Sequence, residues 1–411
     1  MSRSESQPGL LCLVLALLLA MIVLPVHAET VTIKAFYEPD PANPLNTRFI
    51  NTTPQAAFCI RWPQHCRALN AFSVGLPITY TKETVRSASD IRDRFFIQLP
   101  AERNFHITNT ATGNTYPVEF RITQISQRGT ALNGGAHHHP LFTTAVYGGC
   151  QYLQTFNVPG QQQHATTLWG VRSPAAPTGC HSVSTTGAAD YRNTVIISEF
   201  GIGFELMLPP PLDLPNGMYS AQQTFTVGPG GEFDLGNGVS DLNTNSITLN
   251  FELAVNHHLK TDFPPGSNLA VLEPKGGWGN WVHQGQRPTS LQRDIPFRVW
   301  ASGPFKLYTT CQYQAGSQCA MRKKGEIDVL VPFSVAATLP THVQLSGGRP
   351  IRRERLPVGK PSALAIRTVN AAFNEPSMLH FEAQAAAVNQ MVEHPGSQFE
   401  GIVTIHFEAE I

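Results

Sequence analysis

Residues 247–255 alternate without a break. Ile247, Leu249, Phe251, Leu253 and Val255 point one way, and Thr248, Asn250, Glu252 and Ala254 the other. A period of two over this length is the pattern of a β-strand with one face buried. Residues 195–208 and 326–339 are further extended, apolar stretches. Near the end, Val403, Ile405 and Phe407 oppose Thr404, His406 and Glu408. Turn signals punctuate these runs: Pro215-Asn216-Gly217, Gly228-Pro229-Gly230-Gly231, Gly236-Asn237-Gly238 and Pro264-Pro265-Gly266. Helical patterning is scarce, with residues 384–392 a candidate for two turns before Pro395-Gly396. Gly (33) and Pro (32) are plentiful while charged residues make up only 14% of the chain. The expected class is all-β, as two β-sandwich domains.

The chain has 411 residues, too many for one typical core. Pro264-Pro265-Gly266-Ser267 has linker composition and follows the strongest strand. It divides the chain into an N-terminal β-domain, residues 29–264, and a C-terminal one, residues 268–411. Residues 1–28 read as a secretory signal peptide. Arg3 supplies a weakly cationic start, residues 10–24 are nearly all apolar, and Val26 and Ala28 are the small residues before a cut at Glu29. The apolar run is about 15 residues, short of the roughly 20 that span a bilayer. Cys12 begins that run, whereas a lipidated cysteine would follow it. The protein is therefore expected to be exported.

Removal of the signal leaves six cysteines: Cys59, Cys66, Cys150, Cys180, Cys311 and Cys319. Six allow many connectivities. Local pairing is the simplest, because each bridge then closes one loop inside one domain. No C-x-x-C is present, and an oxidising compartment favours bridges over metal.

Lys+Arg and Asp+Glu balance at 29 each. A neutral chain offers no electrostatic reason to expect nucleic acid as a partner. No G-x-S-x-G elbow, H-E-x-x-H motif or unpaired cysteine nucleophile stands out, so the reading is not an enzyme, and no cofactor is expected. His137-His138-His139 is the most conspicuous cluster, since neutral imidazoles bind zinc or copper. Adjacent histidines in an extended loop point to different sides, however, and an exposed polar loop is the preferred account. Trp278 and Trp281 can form an aromatic platform for a sugar, or pack at the domain junction. Trp169, in the loop between Cys150 and Cys180, can contact a ligand or anchor a small local core.

The C-terminal segment His394-Pro395-Gly396-Ser397-Gln398-Phe399-Glu400-Gly401-Ile402-Val403-Thr404-Ile405-His406-Phe407 resembles the closing strand of chaperone–usher pilins. Those subunits end in an aromatic residue, a Gly two positions on, then an alternating strand. Phe399, Gly401, Val403, Ile405 and Phe407 fill that pattern. Residues 253–264 resemble the strand that closes the adhesin domain in the initiator subunits of enterotoxigenic colonisation fimbriae, where a pilin domain follows. A signal, a large β-domain and a smaller pilin-like domain is the plan of two-domain fimbrial tip adhesins. The resemblance begins near Ser246. From Glu29 to Asp241 the chain departs from any receptor-binding pattern, so no receptor residue is carried across.

The resemblance implies a C-terminal domain that is an incomplete immunoglobulin-like pilin fold, open along a hydrophobic groove. A periplasmic pilus chaperone fills such a groove first, and the N-terminal extension of an adjacent pilin subunit later, at an outer-membrane usher. Residues 29–50 hold Pro39, Pro41 and Pro44, and proline breaks a ladder of backbone bonds, so they make a poor donor strand. That favours a tip subunit over a shaft subunit. The implied function is a tip adhesin or assembly initiator, passing through the periplasm to a cell-surface fimbrium. Its N-terminal domain would meet a host or surface receptor, such as a glycan. The alternatives are a secreted carbohydrate-active β-sandwich protein and a metal-binding protein.

Overall fold

The computed structural model describes residues 29–410 apart from 135 and 159, with the side chains of 136, 158 and 162 also left undescribed. The signal-peptide reading lies outside the described residues. The molecule is all-β with a few short helical turns.

Among the described residues, a twelve-stranded sheet dominates the N-terminal part. Its two longest strands, Thr115–Ala131 and Arg192–Met207, run antiparallel from Val195 opposite Ala131 to Met207 opposite Glu119. The strand Ser246–Val255 has the expected alternation, with Ile247, Leu249, Phe251, Leu253 and Val255 all buried. It is held on both sides. Gly217–Thr226 pairs with it antiparallel, and Glu29–Tyr37 pairs with it parallel, Glu29 opposite Ile247 and Tyr37 opposite Val255. A three-stranded sheet, Phe95–Ile97, Cys180–Ser182 and Val146–Gly148, packs nearby.

Bridges join Cys59 to Cys66, Cys150 to Cys180 and Cys311 to Cys319. The first closes a helical turn, Phe58–Arg61 and Pro63–Ala68, that lies on the large sheet. Gly201 permits this approach. A Cβ there would stand 2.5 Å from Ser126 Oγ, 2.6 Å from Ser73 Oγ and 2.7 Å from Ala57 Cβ. Residues 165–171 are consequently covered on both faces. Trp169 enters the main core, while Leu168 packs under the helical turn with Phe58, Cys59 and Cys66.

The pairing changes partners between Val255 and Leu259. The strand Leu259–Asp262 joins Ser290–Ala301, in the second group of sheets. The apolar clusters divide at the same place. The C-terminal part has a nine-stranded sheet centred on Ser290–Ala301, Ala372–Gln384 and Leu330–Thr338, and a four-stranded sheet in the order Val343–Leu345, Leu364–Thr368, Phe305–Cys311, Val403–Ala409. Phe297, Val299, Leu307, Val331, Val335 and Leu379 fill the space between them. The stretch expected from Glu326 begins its strand at Leu330 instead. Gly325 (φ +87°) and a Lys323 N–H to Val329 O bond of 3.0 Å turn the chain first. The helix expected from Gln384 is Ala385–Val392, with Gln384 at its N-cap.

Candidate functional site

The last strand is reached by a crossing between sheets. Phe399–Glu400 pairs with Gln318–Lys323 in the larger sheet, Phe399 opposite Lys323 and Glu400 opposite Arg322. Gly401 then passes so close to this neighbour that a Cβ would stand 2.8 Å from the Ala320 carbonyl oxygen. This explains the glycine two positions after the aromatic residue. Beyond the crossing, Val403–Ala409 pairs with Phe305–Cys311, from Val403 opposite Cys311 to Ala409 opposite Phe305. The Cys311–Cys319 bridge ties the two sheets together beside this point.

Among the described residues the closing strand has no second partner. Its inward side chains Val403, Ile405 and Phe407 are only half-buried, whereas Val331, Val335 and Ala337 of Leu330–Thr338 are fully buried. Beside it lies a groove of about 920 Å³. Leu291, Ile295, Phe333, Leu379 and Phe381 form the floor, with Met321 and Met391 among the lining residues. Val403 and Ile405 form one lip, and Phe263, Pro264 and residues 266–272 form the other. An edge of seven residues is about 24 Å long and presents unpaired backbone donors and acceptors. Its outward side is occupied. His406 stacks on Tyr308 at 4.5 Å and shares a 2.9 Å hydrogen bond with Thr310. Lys360 bonds to Glu408 and holds that carboxyl below its ordinary range. The groove is therefore suited to an extended strand with apolar side chains on one face.

The residues singled out in the sequence lie elsewhere. His139 is fully buried, its Nε2–H donating to the Gly129 carbonyl at 3.1 Å and its Nδ1 accepting from Leu141 N–H at 3.1 Å. Burial pushes its pKa down to about 4. His138 lies against the Tyr191 ring at 4.8 Å, and His137 is exposed. The three rings thus have three separate settings. Among the described residues, no three His, Cys, Asp or Glu side chains gather as a metal-ion set. Trp169 is fully buried, edge-on to Phe95 at 6.2 Å. Trp278, the N-cap of the short helix Gly279–Gln284, and Trp281 within that helix lie 5.7 Å apart, and Trp278 is 40% exposed. The second lip carries a sequence signal of its own. The apolar run Leu269-Ala270-Val271-Leu272 directly follows Pro264-Pro265-Gly266-Ser267-Asn268.

No protein-family model matches the chain, and no curated protein matches it. Solved structures do resemble it loosely. One is the chaperone–tip adhesin complex of CFA/I fimbriae biogenesis, with 8% identity, covering 93% of this chain and 97% of that one, at a TM-score of 0.26. A second is a point mutant of the enterotoxigenic E. coli CFA/I adhesin CfaE, with 9% identity, 93% of each chain covered and a TM-score of 0.23. A third is the CsuC–CsuE chaperone–tip subunit complex of the archaic Csu pili of Acinetobacter baumannii, with 11% identity, 93% and 98% covered and a TM-score of 0.21. At such values the overlap stands as a likeness, and the chemistry of the groove is read from its own residues.

Proposed function

We propose that this protein is a fimbrial tip adhesin or assembly initiator that joins its pilus by accepting a donor strand beside Val403–Ala409. The observation that carries this reading is the free edge of that strand above an apolar groove of about 920 Å³. An extended segment laid there adds a strand, satisfies the edge and covers Val403 and Ile405. A periplasmic pilus chaperone would fill the groove first, and an adjacent pilin subunit would replace it at an outer-membrane usher. Residues 29–264 would carry the receptor site and residues 268–411 the pilus anchor. Of the two tryptophans that can form a sugar platform, Trp278 is the more exposed.

Expressing the full chain with and without a pilus chaperone tests the proposal. The expected outcome is aggregation alone and a one-to-one complex with the chaperone. A chain that is monomeric alone, and that no chaperone or donor peptide changes, would overturn it.

A further inference from the structure

Leu259–Asp262 and Glu273–Pro274 both pair antiparallel with the same strand, Ser290–Ala301. Asp262 lies opposite Arg298, and Glu273 opposite Gln292. The chain thus takes eleven steps from Asp262 to Glu273 while its partner takes six from Arg298 to Gln292, a surplus of five residues. Paired strands advance alike, at about 3.4 Å per residue, so surplus residues must leave the ladder. They leave it over the groove, where Phe263 and the run from Leu269 to Leu272 form the second lip.

The backbone of this strap is weakly tied. Its bonds among the described residues are those of its own turns, Ser267 N–H to Pro264 O at 3.2 Å and Leu269 N–H to Gly266 O at 3.3 Å. Side chains hold it instead. Ala270 and Leu272 pack partly against the core, and the Phe263 ring stacks on Phe297 at 4.9 Å. Leu269 and Val271 are 67% and 54% exposed. Meanwhile, among the described residues, the stretch between Gln292 and Arg298 is unpaired on the side where Leu259–Asp262 and Glu273–Pro274 flank it. An empty rail thus lies beside a strap with slack.

We propose that residues 263–272 are a movable lid, seated in the groove while it is empty and withdrawn onto the free edge of Ser290–Ala301 when a strand enters. This rests on reading the groove as a strand acceptor. The entering strand favours the withdrawn state because it fills space that Ala270 and Leu272 otherwise share. A lid and a fixed wall differ in sign: loosening a lid speeds entry, whereas damaging a wall slows it.

The test follows association of a fluorescein-labelled synthetic peptide of alternating Val and Thr with the full chain, by stopped-flow anisotropy. Leu272→Ser weakens the lid's grip and is expected to speed association about fivefold. Deleting residues 264–268 removes the surplus, which puts Leu269 opposite Pro296 and Ala270 opposite Ile295. It should speed association similarly and slow amide exchange at Ala270 and Leu272. Unchanged or slower association in both variants, with the peptide still bound, overturns the lid. A peptide that binds none of the proteins, or binds Ile405→Asp like the unaltered chain, overturns the acceptor reading itself and the lid with it.

Discussion

Lys82 Nζ lies 2.9 Å from the Leu235 carbonyl oxygen, in a site 1% exposed. The same ammonium donates to the carbonyls of Arg92, at 3.0 Å, and Asn237. Asp234 binds Arg92 through both oxygens and accepts the N–H groups of Gly230 and Gly236 at 2.9 Å each. One buried cation thereby fastens two loops to the strand Tyr80–Val85.

Replacing Lys82 with Met leaves those carbonyls without a donor and should lower stability at neutral pH by about 2 kcal/mol. Burial pulls the Lys82 pKa down to about 8 from 10.5. Between these values the unfolded chain carries a proton that the folded chain lacks, so the Lys82 contribution to stability rises with pH. Urea unfolding of both proteins from pH 7 to pH 10 checks this. The gap between them should widen as pH rises.

His139 gives the opposite edge of the pH range. Folded, it takes its proton near pH 4; unfolded, near 6.5. Its stability contribution is fully present above pH 6.5 and is lost as pH falls toward 4, by about 3 kcal/mol at most. His139→Gln should be less stable at pH 7 yet lose less on acidification. Thermal melts of both proteins at pH 7 and pH 4.5 compare the two slopes.

The Cys150–Cys180 bridge spans a sequence separation of 30. Replacing both cysteines with Ala should lower stability by about 3.5 kcal/mol, since the unfolded chain regains the freedom of that loop. Denaturant unfolding would measure it.

Ile405 faces the groove, so Ile405→Asp places a charge where an entering strand needs an apolar contact. Chaperone capture should fall by more than about tenfold. Thr404→Asp, on the outward side of the same strand, should change it little. Pull-down with a co-expressed chaperone compares the two.

Much of this fold is legible wherever a strand has one wet face. The strand Ser246–Val255 shows its burial in its lettering, and Phe399-x-Gly401 marks the crossing that opens the groove. Strands covered on both faces hide. Trp169 sits among Gln, Thr and Gly, and only the disulfide-closed helical turn above Leu168 makes that stretch interior. Lys82 reads as a surface lysine until its parity with the buried Tyr80 and Thr84 is noticed. The second lip is hidden for another reason. Its slack exists only relative to the register of Ser290–Ala301, and register is a property of two distant segments together.

The parallel pairing of Glu29–Tyr37 with Ser246–Val255 carries a consequence in time. Synthesis runs N-terminus first. The earliest described strand must wait for Ser246–Val255, the last to join its sheet, before it has its long-range partner. Until then the clusters of its apolar residues Ile33, Ala35 and Tyr37 lack Ile247, Leu249, Phe251, Leu253 and Val255. A helper that shelters exposed strands is thus useful to this chain at both ends: early, while the first strand lacks its parallel partner, and late, while the last one keeps an open edge.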